Sequence, residues 1–531
     1  MLRINELKLP ITHNEKDIRN KIVKLLRCDV PFEYKIVRKS LDARKKPKLF
    51  FSYIIDIIVD DEDKILKRAD KKILKVNNIE YAFPHHIDEI EDDSRPVIIG
   101  LGPCGLFAGL YLARNGFKPI LVERGKKIDE RTHDVNRFWE EDILNENSNV
   151  QFGEGGAGAF SDGKLNTLVK DKYGRNKAVL KDLVSFGAPE EILYDYKPHI
   201  GTDRLKTTVK NISNEILKLG GEIFYDTLID EFEIKENVLK KISSSKSNIS
   251  FKSNPVILAI GHSARDTFKI LFDNGLCMAP KPFAIGFRVQ HKTSLINESQ
   301  YGVSSSDTLG NAPYKVTYTC KDQRGVYSFC MCPGGYVVNA SSTKNMLAVN
   351  GMSYYDRNSP YSNSAIIVTI NPEDYGDGKN PMSGIEFQKE LEKKAYDIGN
   401  GHIPYEFYSE FKENRLYLDD LDDNLIGTKG KSEHSCVHKI MPQFINDDFV
   451  EGMEAFGTKI KGFDSPDTLI FGIESRTSSP VKISRDEFCE SNIQNLFVAG
   501  EGAGYAGGIS SAAMDGILIA EKVAERILGK E

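Results

Sequence analysis

Cysteine and tryptophan are scarce in this chain of 531 residues, which contains eight cysteines and a single tryptophan. No two cysteines have the CxxC spacing, and no cysteine–histidine cluster has the spacing of zinc ligands. Sparse thiols without a regular framework are typical of proteins kept in a reducing compartment. We therefore predict no metal site and a cytoplasmic location.

Long apolar segments are also missing. The first residues, MLRINELKLPITHNEKD, have no apolar core of the kind found in signal peptides. A long uncharged stretch, residues 97–113, contains four glycines and a proline, which favour a strand–turn–helix over a membrane-spanning helix. We expect no membrane partner.

An excess of positive charge is absent as well, since the net charge is −6. Binding to a polyanion requires a clustered positive field, so we expect no nucleic-acid partner. One basic run, Arg38–Lys48, has two interpretations. It is either a solvated hairpin or strand end, or an RNA-binding surface on an RNA-modifying protein.

The length of the chain predicts more than one domain, because single cores rarely exceed roughly 250–300 residues. Residues 1–90 are predicted to form a small α+β unit in the order β-α-β-β, which is consistent with half of a ferredoxin-like fold. Its predicted elements are the strand Leu2–Leu9, the helix Glu15–Leu26 and the strands Tyr34–Arg38 and Leu49–Val59. The acidic stretch 88–96 that follows is predicted to be a linker.

The rest of the chain is predicted to contain one nucleotide-binding domain interrupted by another domain. Residues 91–272 form its first part and residues 467–531 its second, which ends in a helix over Ser511–Leu528. Residues 273–466, richer in aromatics and short strand-like runs, form an inserted substrate or cap domain.

A glycine-rich turn follows the apolar strand that ends at Ile99. Its pattern is Gly100-x-Gly102-x-x-Gly105, with Pro103 and Cys104 at the start of the helix that follows. The first glycine allows a tight turn, the second a close approach to a pyrophosphate, and the third close helix–strand packing. The pyrophosphate is expected at the N-terminus of the helix, where N–H groups are free.

An acid at the end of the next strand supports the same interpretation. Glu123 lies 23 positions after Gly100 and is followed by Arg124. In dinucleotide-binding folds this spacing brings a carboxylate to the ribose hydroxyls. Strand, loop, helix, strand and acid in this order predict a dinucleotide site.

Three distant segments decide between FAD and NAD. The loop QFGEGGAGAFSDGKL, residues 151–165, is rich in glycine and suits a backbone that passes close to a flat cofactor. The Ala-x-Gly turn at Gly261 and the Gly500-Glu501 motif resemble the segments by which two-dinucleotide-type flavoproteins return to FAD. The cofactor-binding residues predicted from these segments are Gly155, Gly156, Ala157, Asp162, Gly163, Lys164, Gly261, Gly500, Glu501, Gly508 and Ile509.

Four strings then identify a family resemblance: QFGEGGAGAFSDGKL, FCMCPGGYVVNASS, ESRTSSPVKISR and AGEGAGYAGGISSAAMDG. Together with the basic segment of the N-terminal unit, they resemble largely uncharacterised bacterial FAD-dependent dehydrogenases, and the likeness covers nearly the whole chain. More distantly the chain is similar to geranylgeranyl-reductase-like and other glutathione-reductase-type flavoproteins. Residues 402–436, rich in acids and aromatics, depart from the pattern. The resemblance implies FAD and redox chemistry but no settled substrate.

The predicted fold is therefore α/β: a Rossmann-like FAD-binding domain with an inserted α+β substrate domain and a small N-terminal ferredoxin-like α+β domain. The predicted activity is that of an FAD-dependent oxidoreductase that transfers a hydride between flavin N5 and a small organic substrate. A flavin-dependent monooxygenase is the alternative. We identify no second GxGxxG that would belong to a dedicated NAD(P)H domain, so electrons are expected from NAD(P)H at the substrate site or from a redox-protein partner.

Two thiols and two basic residues are the candidates for catalysis. Cys330 and Cys332 either relay electrons or attack as a thiolate, or they are small thiols packed beneath the flavin. Arg476 stabilises an anionic reduced flavin, clamps a substrate carboxylate, or forms a structural ion pair with Glu474 or another acid. His291 is either a general acid or a structural histidine. Lys164 is a further candidate for contact with flavin N5 or N1.

Overall fold

A computed structural model describes residues 1–27, 30–252, 254–306, 308–417 and 426–529. Residues 418–425 of the divergent 402–436 segment lie outside these ranges. The N-terminal unit consists of β1 (Leu2–Pro10), α1 (Glu15–Leu26), β2 (Glu33–Asp42), β3 (Phe50–Ile58), α2 (Glu62–Leu66) and β4 (Ile73–Lys75).

The N-terminal sheet has the strand order β2-β3-β1-β4, and each neighbouring pair is antiparallel. This is the ferredoxin-like arrangement, of which the sequence had indicated the first half. Strand β1 forms because its apolar residues Leu2, Ile4, Leu7 and Leu9 are buried on one face of the sheet. Helix α1 begins at a capping box, in which Asn14 and Asp17 accept each other's backbone N–H groups.

The segment after this unit is packed rather than free. Tyr81, Phe83, Ile87 and Ile90 pack against the core of the next domain, and the Tyr81 hydroxyl donates to Glu521 Oε1 at 2.6 Å. The linker over residues 88–96 therefore stays a prediction, and within this stretch Ile90 packs against the body.

The elements of the next region are β5 (Val97–Ile99), α3 (Pro103–Arg114), β6 (Ile120–Val122), α4 (Ile128–Glu141), α5 (Arg175–Ser185), α6 (Thr202–Lys218), β7 (Glu222–Phe224), β8 (Glu231–Lys235), β9 (Val238–Ser243), β10 (Ser250–Lys252), β11 (Val256–Leu258) and α7 (Arg265–Asp273). Strands β5, β6 and β11 are fully buried apolar triplets, as expected for strands covered on both faces.

The following region consists of β12 (Met278–Pro280), β13 (Phe283–Lys292), α8 (Thr293–Tyr301), β14 (Thr317–Thr319), β15 (Gly325–Cys332), β16 (Tyr336–Asn339), β17 (Val349–Met352), β18 (Tyr361–Ile370), α9 (Pro372–Tyr375), α10 (Ser383–Ile398), β19 (Ile403–Phe407), α11 (Tyr408–Glu413), β20 (Thr428–Lys429), β21 (Ser432–His434), α12 (Gln443–Gly457) and β22 (Leu469–Glu474). The chain then continues through β23 (Val481–Ile483), β24 (Leu496–Val498) and α13 (Ile509–Ile527).

Two sheets carry the body of the molecule. A five-stranded parallel sheet has the order β24-β11-β5-β6-β7, so it joins strands from the two ends of the nucleotide-binding part. A seven-stranded sheet has the order β14-β15-β18-β13-β22-β19-β21, and all of its pairs are antiparallel except β19 with β21. The α/β fold class predicted from the sequence is confirmed.

The return from the second sheet to the first occurs later than the predicted boundary between residues 466 and 467. Strand β22 pairs with β13 and β19, so residues 469–474 belong to the seven-stranded sheet. The chain rejoins the parallel sheet at β24. Among the described residues, no helix is long and apolar enough to cross a membrane.

Candidate functional site

A cavity of about 370 Å³ lies where the two sheets meet. Residues that directly follow β5, β6, β11 and β24 line it, so the cavity lies at the carboxyl ends of four parallel strands, where open α/β sheets bind ligands. The predicted site residues that line it are Gly100, Gly102, Pro103, Cys104, Glu123, Arg124, Gly156, Ala157, Asp162, Gly163, Lys164, Gly261, Cys330, Cys332, Arg476, Gly500, Glu501, Gly508 and Ile509.

Two predicted glycines lie just behind this wall. A Cβ at Gly105 would lie 1.9 Å from the Gly100 carbonyl oxygen, so this glycine serves the helix–strand contact. Gly155 donates its N–H to the Leu101 carbonyl at 2.8 Å and has a φ of +86°. Both positions shape the backbone of the loops rather than the cavity surface.

His291 lies on β13 but does not line the cavity. Its Nε2 donates to the Phe463 carbonyl oxygen at 2.7 Å, and its ring packs on the Phe463 ring. Burial lowers the pKa of His291 to about 4, so the ring is neutral at pH 7. The geometry corresponds to the structural interpretation of this histidine, not to a proton donor facing the cavity.

The glycine turn and the 151–165 loop meet at one end of the cavity. Gly102 is the N-cap of α3, and a Cβ at Gly156 would lie 2.8 Å from the Gly102 Cα. The first N–H groups of α3 have no partner within the helix, and Pro103 needs none. This end therefore presents the free donors and positive dipole that a pyrophosphate requires.

Further glycines leave open space where a flat ligand can approach the backbone. No described atom lies within 4 Å of a Cβ built on Gly261, Gly507 or Gly508, although all three line the cavity. Gly261 has a φ of +66°, which disfavours any side chain. The cradle therefore fits a dinucleotide lying against bare backbone.

A buried arginine fixes the glycine loop. Arg131 on α4 is fully buried and donates to the carbonyl oxygens of Asn149, Val150, Gly153 and Glu154. Its stem passes so close to Gly153 that a Cβ there would lie 2.3 Å from the Arg131 Cδ. The loop thus takes its path from a side chain 18 to 23 residues earlier in the sequence.

Glu123 makes structural hydrogen bonds in addition to its predicted contact with a ribose. Its carboxylate accepts the N–H groups of Leu101, Gly125 and Gly153 at 2.8–2.9 Å, and the residue is 4% exposed. These bonds join the turn after β5 to the glycine loop. Since each carboxylate oxygen has two acceptor sites, Oε2 keeps one free for a ribose hydroxyl.

The opposite end of the cavity is built around Arg288, which the sequence did not single out as catalytic. Its fully buried guanidinium donates to Glu474 Oε2 at 2.9 Å, Asn363 Oδ1 at 2.6 Å and the Cys330 carbonyl at 3.2 Å. A Cβ at Gly351 would lie 1.8 Å from its Nη1. Burial opposes the charge, but Glu474 and Cys332 raise the pKa of Arg288 above its ordinary value.

The two thiols have different geometries. Cys330 lies at a bulge in β15 with a φ of +41°, whereas the buried Cys332 Sγ lies 3.3 Å from the Cys330 carbonyl oxygen. Neither is in a disulfide. Burial raises the pKa of Cys330 to about 12 and raises that of Cys332, although Lys164 opposes both shifts. Neutral thiols are therefore expected at pH 7, and the electron-relay role stays a prediction.

An ion cluster joins the glycine loop to the segment between β17 and β18. Asp162, 3% exposed, contacts Lys164 Nζ at 3.1 Å and accepts from Arg357 Nε at 3.0 Å and from the Ser353 hydroxyl. Burial alone would raise the pKa of this carboxyl, but Lys164 and Arg357 hold it well below its ordinary range. Lys164 Nζ also lies 4.0 Å from Cys332 Sγ.

Arg476 forms an ion pair with Glu392 rather than with Glu474. Its Nε and Nη2 donate to the two oxygens of Glu392 at 2.9 and 2.8 Å, and Nη1 donates to Ser342 Oγ at 2.6 Å. Arg265 binds the same buried carboxylate at 2.7 Å. Nε and Nη2 of Arg476 are therefore both occupied by Glu392. Arg476 can act through its charge, but this pair of N–H donors is not free to bind a substrate carboxylate.

His262 is a site residue that the sequence reasoning missed. It lines the cavity directly after Gly261, and its Nδ1 lies 3.4 Å from Glu501 Oε1. Its buried Nε2 has no hydrogen-bond partner among the described residues. Its position directly after the predicted Ala-x-Gly turn is the feature of the sequence that could have identified it as a site residue. The sequence suggested Glu474, at the start of the ESRTSS string, only as an ion-pair partner of Arg476.

Comparisons with known proteins agree with the predicted cofactor. Residues 282–477 match the family model described as "FAD-dependent protein, C-terminal domain-like", and residues 1–58 match a domain of unknown function. An uncharacterised protein of Clostridium beijerinckii is 41% identical over 99% of both chains.

Solved flavoprotein structures are much more distant. The flavoprotein/dehydrogenase of Cytophaga hutchinsonii has a TM-score of 0.37 at 12% identity, with 82% of this chain and 79% of that chain covered. The geranylgeranyl bacteriochlorophyll reductase-like protein of Thermoplasma acidophilum has a TM-score of 0.35, with the same identity and coverage. At these values the likeness adds nothing about activity. The chain belongs to the family of the clostridial protein, and it is an FAD-dependent protein.

Proposed function

We propose that the protein is an FAD-dependent oxidoreductase that transfers a hydride between flavin and a small organic substrate. The observation that carries this proposal is a single cavity with two chemically different ends. One end offers bare backbone and a helix N-terminus, and the other offers buried ionisable side chains from the second sheet.

The residues at the first end would hold the cofactor. The N-terminus of α3 with Gly102 and Gly156 suits the pyrophosphate, and Glu123 suits a ribose. The N-terminus of α13 at Gly508 and Ile509 supplies a second set of free N–H donors on the cavity wall. When bound, FAD supplies a hydride acceptor or donor at flavin N5.

The residues at the second end would receive the substrate. This end is lined by Lys164, Cys330, Asn350 and Glu474. Behind them, the Arg288 guanidinium donates through Nε to Glu474, through Nη1 to the Cys330 carbonyl and through Nη2 to Asn350. The excess of cations over carboxylates in the Arg265–Glu392–Arg476 and Lys164–Asp162–Arg357 clusters favours negative charge in the cavity. Such a field would stabilise a reduced, anionic cofactor or an anionic substrate.

Anaerobic reduction of the purified holoprotein tests the proposal. NADH, NADPH and metabolite extracts are added under argon, and the visible absorbance of FAD is followed. We expect bleaching with at least one donor, and reoxidation by an organic acceptor in the absence of O₂. The matched control is the protein stripped of FAD, which should show neither change.

Two outcomes would contradict the hydride-transfer reading. If no donor bleaches the flavin absorbance and no organic acceptor restores it, the proposed hydride transfer is wrong. Rapid reoxidation by O₂ that is accelerated by a substrate and oxygenates it would favour a monooxygenase instead.

A further inference from the structure

We propose that Glu474 is the proton donor and acceptor of the cavity, acting on the substrate of the reaction proposed above. Glu474 ends β22, lines the cavity and is 2% exposed. Its Oε2 accepts from Arg288 Nε at 2.9 Å, whereas no described residue donates to its Oε1. A buried carboxyl oxygen without a protein donor, on the wall of a ligand cavity, has its hydrogen-bonding capacity left for the ligand.

The carboxyl is held in one orientation by the residue behind it. Arg288 is itself fixed by Asn363 and by the Cys330 carbonyl. The Nε–Oε2 bond therefore directs Oε1 away from the Arg288 contact. Arg288 acts as a positioning residue, since it reaches the cavity only through its neighbours and does not line it.

The electrostatic surroundings favour the protonated form of the Glu474 carboxyl more than water does. Burial raises the pKa of Glu474, and the Arg288 guanidinium only partly offsets this. The other ionisable group facing the carboxyl is Cys330, whose thiol is neutral at pH 7 because its pKa is about 12. A general acid or base works best when its pKa lies near the working pH, and the pKa of Glu474 is shifted in that direction.

The other carboxylates on the cavity wall have protein partners or lie at the cofactor end of the cavity. Glu123 accepts three backbone N–H groups. Asp162 accepts from Arg357 and Ser353 and contacts Lys164, and its pKa is held low. Glu501 lies beside His262, at the end built from the cofactor-binding turns. Among the described acids at the substrate end of the cavity, Glu474 has an oxygen to which no described residue donates, and burial raises its pKa.

The proposed step balances as follows in the oxidative direction. An O–H or N–H bond of the substrate breaks, and its proton forms a bond to Glu474 Oε1. The electron pair left on the oxygen or nitrogen forms a C=O or C=N bond as the carbon bonded to it loses a hydride, which bound FAD would accept. In the reductive direction the same proton returns from Glu474 to the oxygen or nitrogen.

The test uses the holoprotein without any substrate, so it remains separate from the proposed reaction. The midpoint potential of bound FAD is measured with reference dyes between pH 6 and 9, and infrared difference spectra are recorded on photoreduction. Added negative charge raises the pKa of a neighbouring carboxyl, so Glu474 should take up a proton as electrons enter. We expect Glu474→Gln to flatten the pH slope by up to about 30 mV per pH unit, the value for one proton per two electrons.

The control is Glu406→Gln, because Glu406 is an equally buried glutamate of the same sheet that pairs with His438 and does not line the cavity. This variant should keep the wild-type slope and the infrared signal of a protonated carboxyl. Glu474→Asp should restore the signal at least in part. A Glu474→Gln variant with full FAD content, wild-type slope and wild-type signal would overturn the proposal. If that variant fails to fold, absence of any carboxyl change in the wild type would overturn it equally.

Discussion

At the scale of single residues, glycines divide into those that serve the fold and those that serve the ligand. Gly105 touches the Gly100 carbonyl, so any side chain there collides with backbone. Gly102 has an ordinary φ of −72°, and the nearest atom to a Cβ there is the Gly156 Cα at 3.9 Å. A methyl group at Gly102 is therefore tolerated by the fold, and it would occupy space on the cavity wall where the pyrophosphate is proposed to bind.

We expect Gly102→Ala to fold normally and to bind FAD at least tenfold more weakly, because the added methyl group keeps the pyrophosphate from the N-terminus of α3. Titration of the FAD-free protein, followed by flavin fluorescence, measures the change. Gly325→Ala is the control, since a Cβ there meets only the Thr369 hydroxyl at 3.4 Å and Gly325 does not line the cavity. Equal affinity of the two variants would contradict the assignment.

The contrast between these residues and His291 shows what a sequence can predict. The glycines and Glu123 lie in short loops after strands, and their roles follow from local backbone geometry. The positions of His291, Glu474 and Arg288 depend on how β13 pairs with β18 and β22, 70 to 190 residues away. Spacing along the chain does not encode that register, so residue type alone suggested His291 and passed over Glu474.

At the scale of secondary-structure elements, helix α10 is tied to two other segments by one carboxylate. Glu392 is fully buried and binds Arg265 at the start of α7 and Arg476 after β22. Ser475 Oγ also donates to Glu392 Oε1, at 2.6 Å. Burial opposes ionisation of Glu392, but the two guanidinium groups hold its pKa well below the ordinary range.

We expect Glu392→Gln to lower the free energy of unfolding by about 3–5 kcal/mol, because it leaves two buried cations without a counter-charge. Arg476→Met should cost less, since the Arg265–Glu392 pair remains. Urea titration measures both. Glu390→Gln is the control on the same helix, where an exposed pair with Lys394 is worth under about 1 kcal/mol. A cost for Glu392→Gln no larger than that of the control would refute the prediction.

At the scale of the whole molecule, the N-terminal unit is joined to the body by backbone bonds and a shared apolar contact. Lys39 of β2 donates its N–H to the Tyr194 carbonyl at 2.7 Å and accepts from the Tyr196 N–H at 2.9 Å. Ile11, Leu41 and Leu309 pack against the cores of both parts. Lys46 of the basic run donates to the Ser299 carbonyl, so this run is partly an internal contact.

We expect Leu309→Asp to separate the N-terminal unit from the body, because a charge in this contact loses its hydration without gaining a partner. Hydrogen exchange at the Lys39 and Tyr196 amides should become faster by tenfold or more. Val303→Asp is the control in the same segment, since Val303 is already 40% exposed. Unchanged exchange in Leu309→Asp would show that the backbone pairing alone holds the unit.

The order of strands in the parallel sheet has a consequence for biosynthesis. Strand β11 lies between β5 and β24, so the cavity draws its walls from residues near 100 and near 500. A ribosome must therefore have made the chain as far as the start of α13 before both cofactor-binding turns can meet. We therefore expect FAD to bind only after the chain is nearly complete, so chains that end before α13 should not bind it. The cellular concentration of FAD should then affect the stability of finished chains rather than of nascent ones.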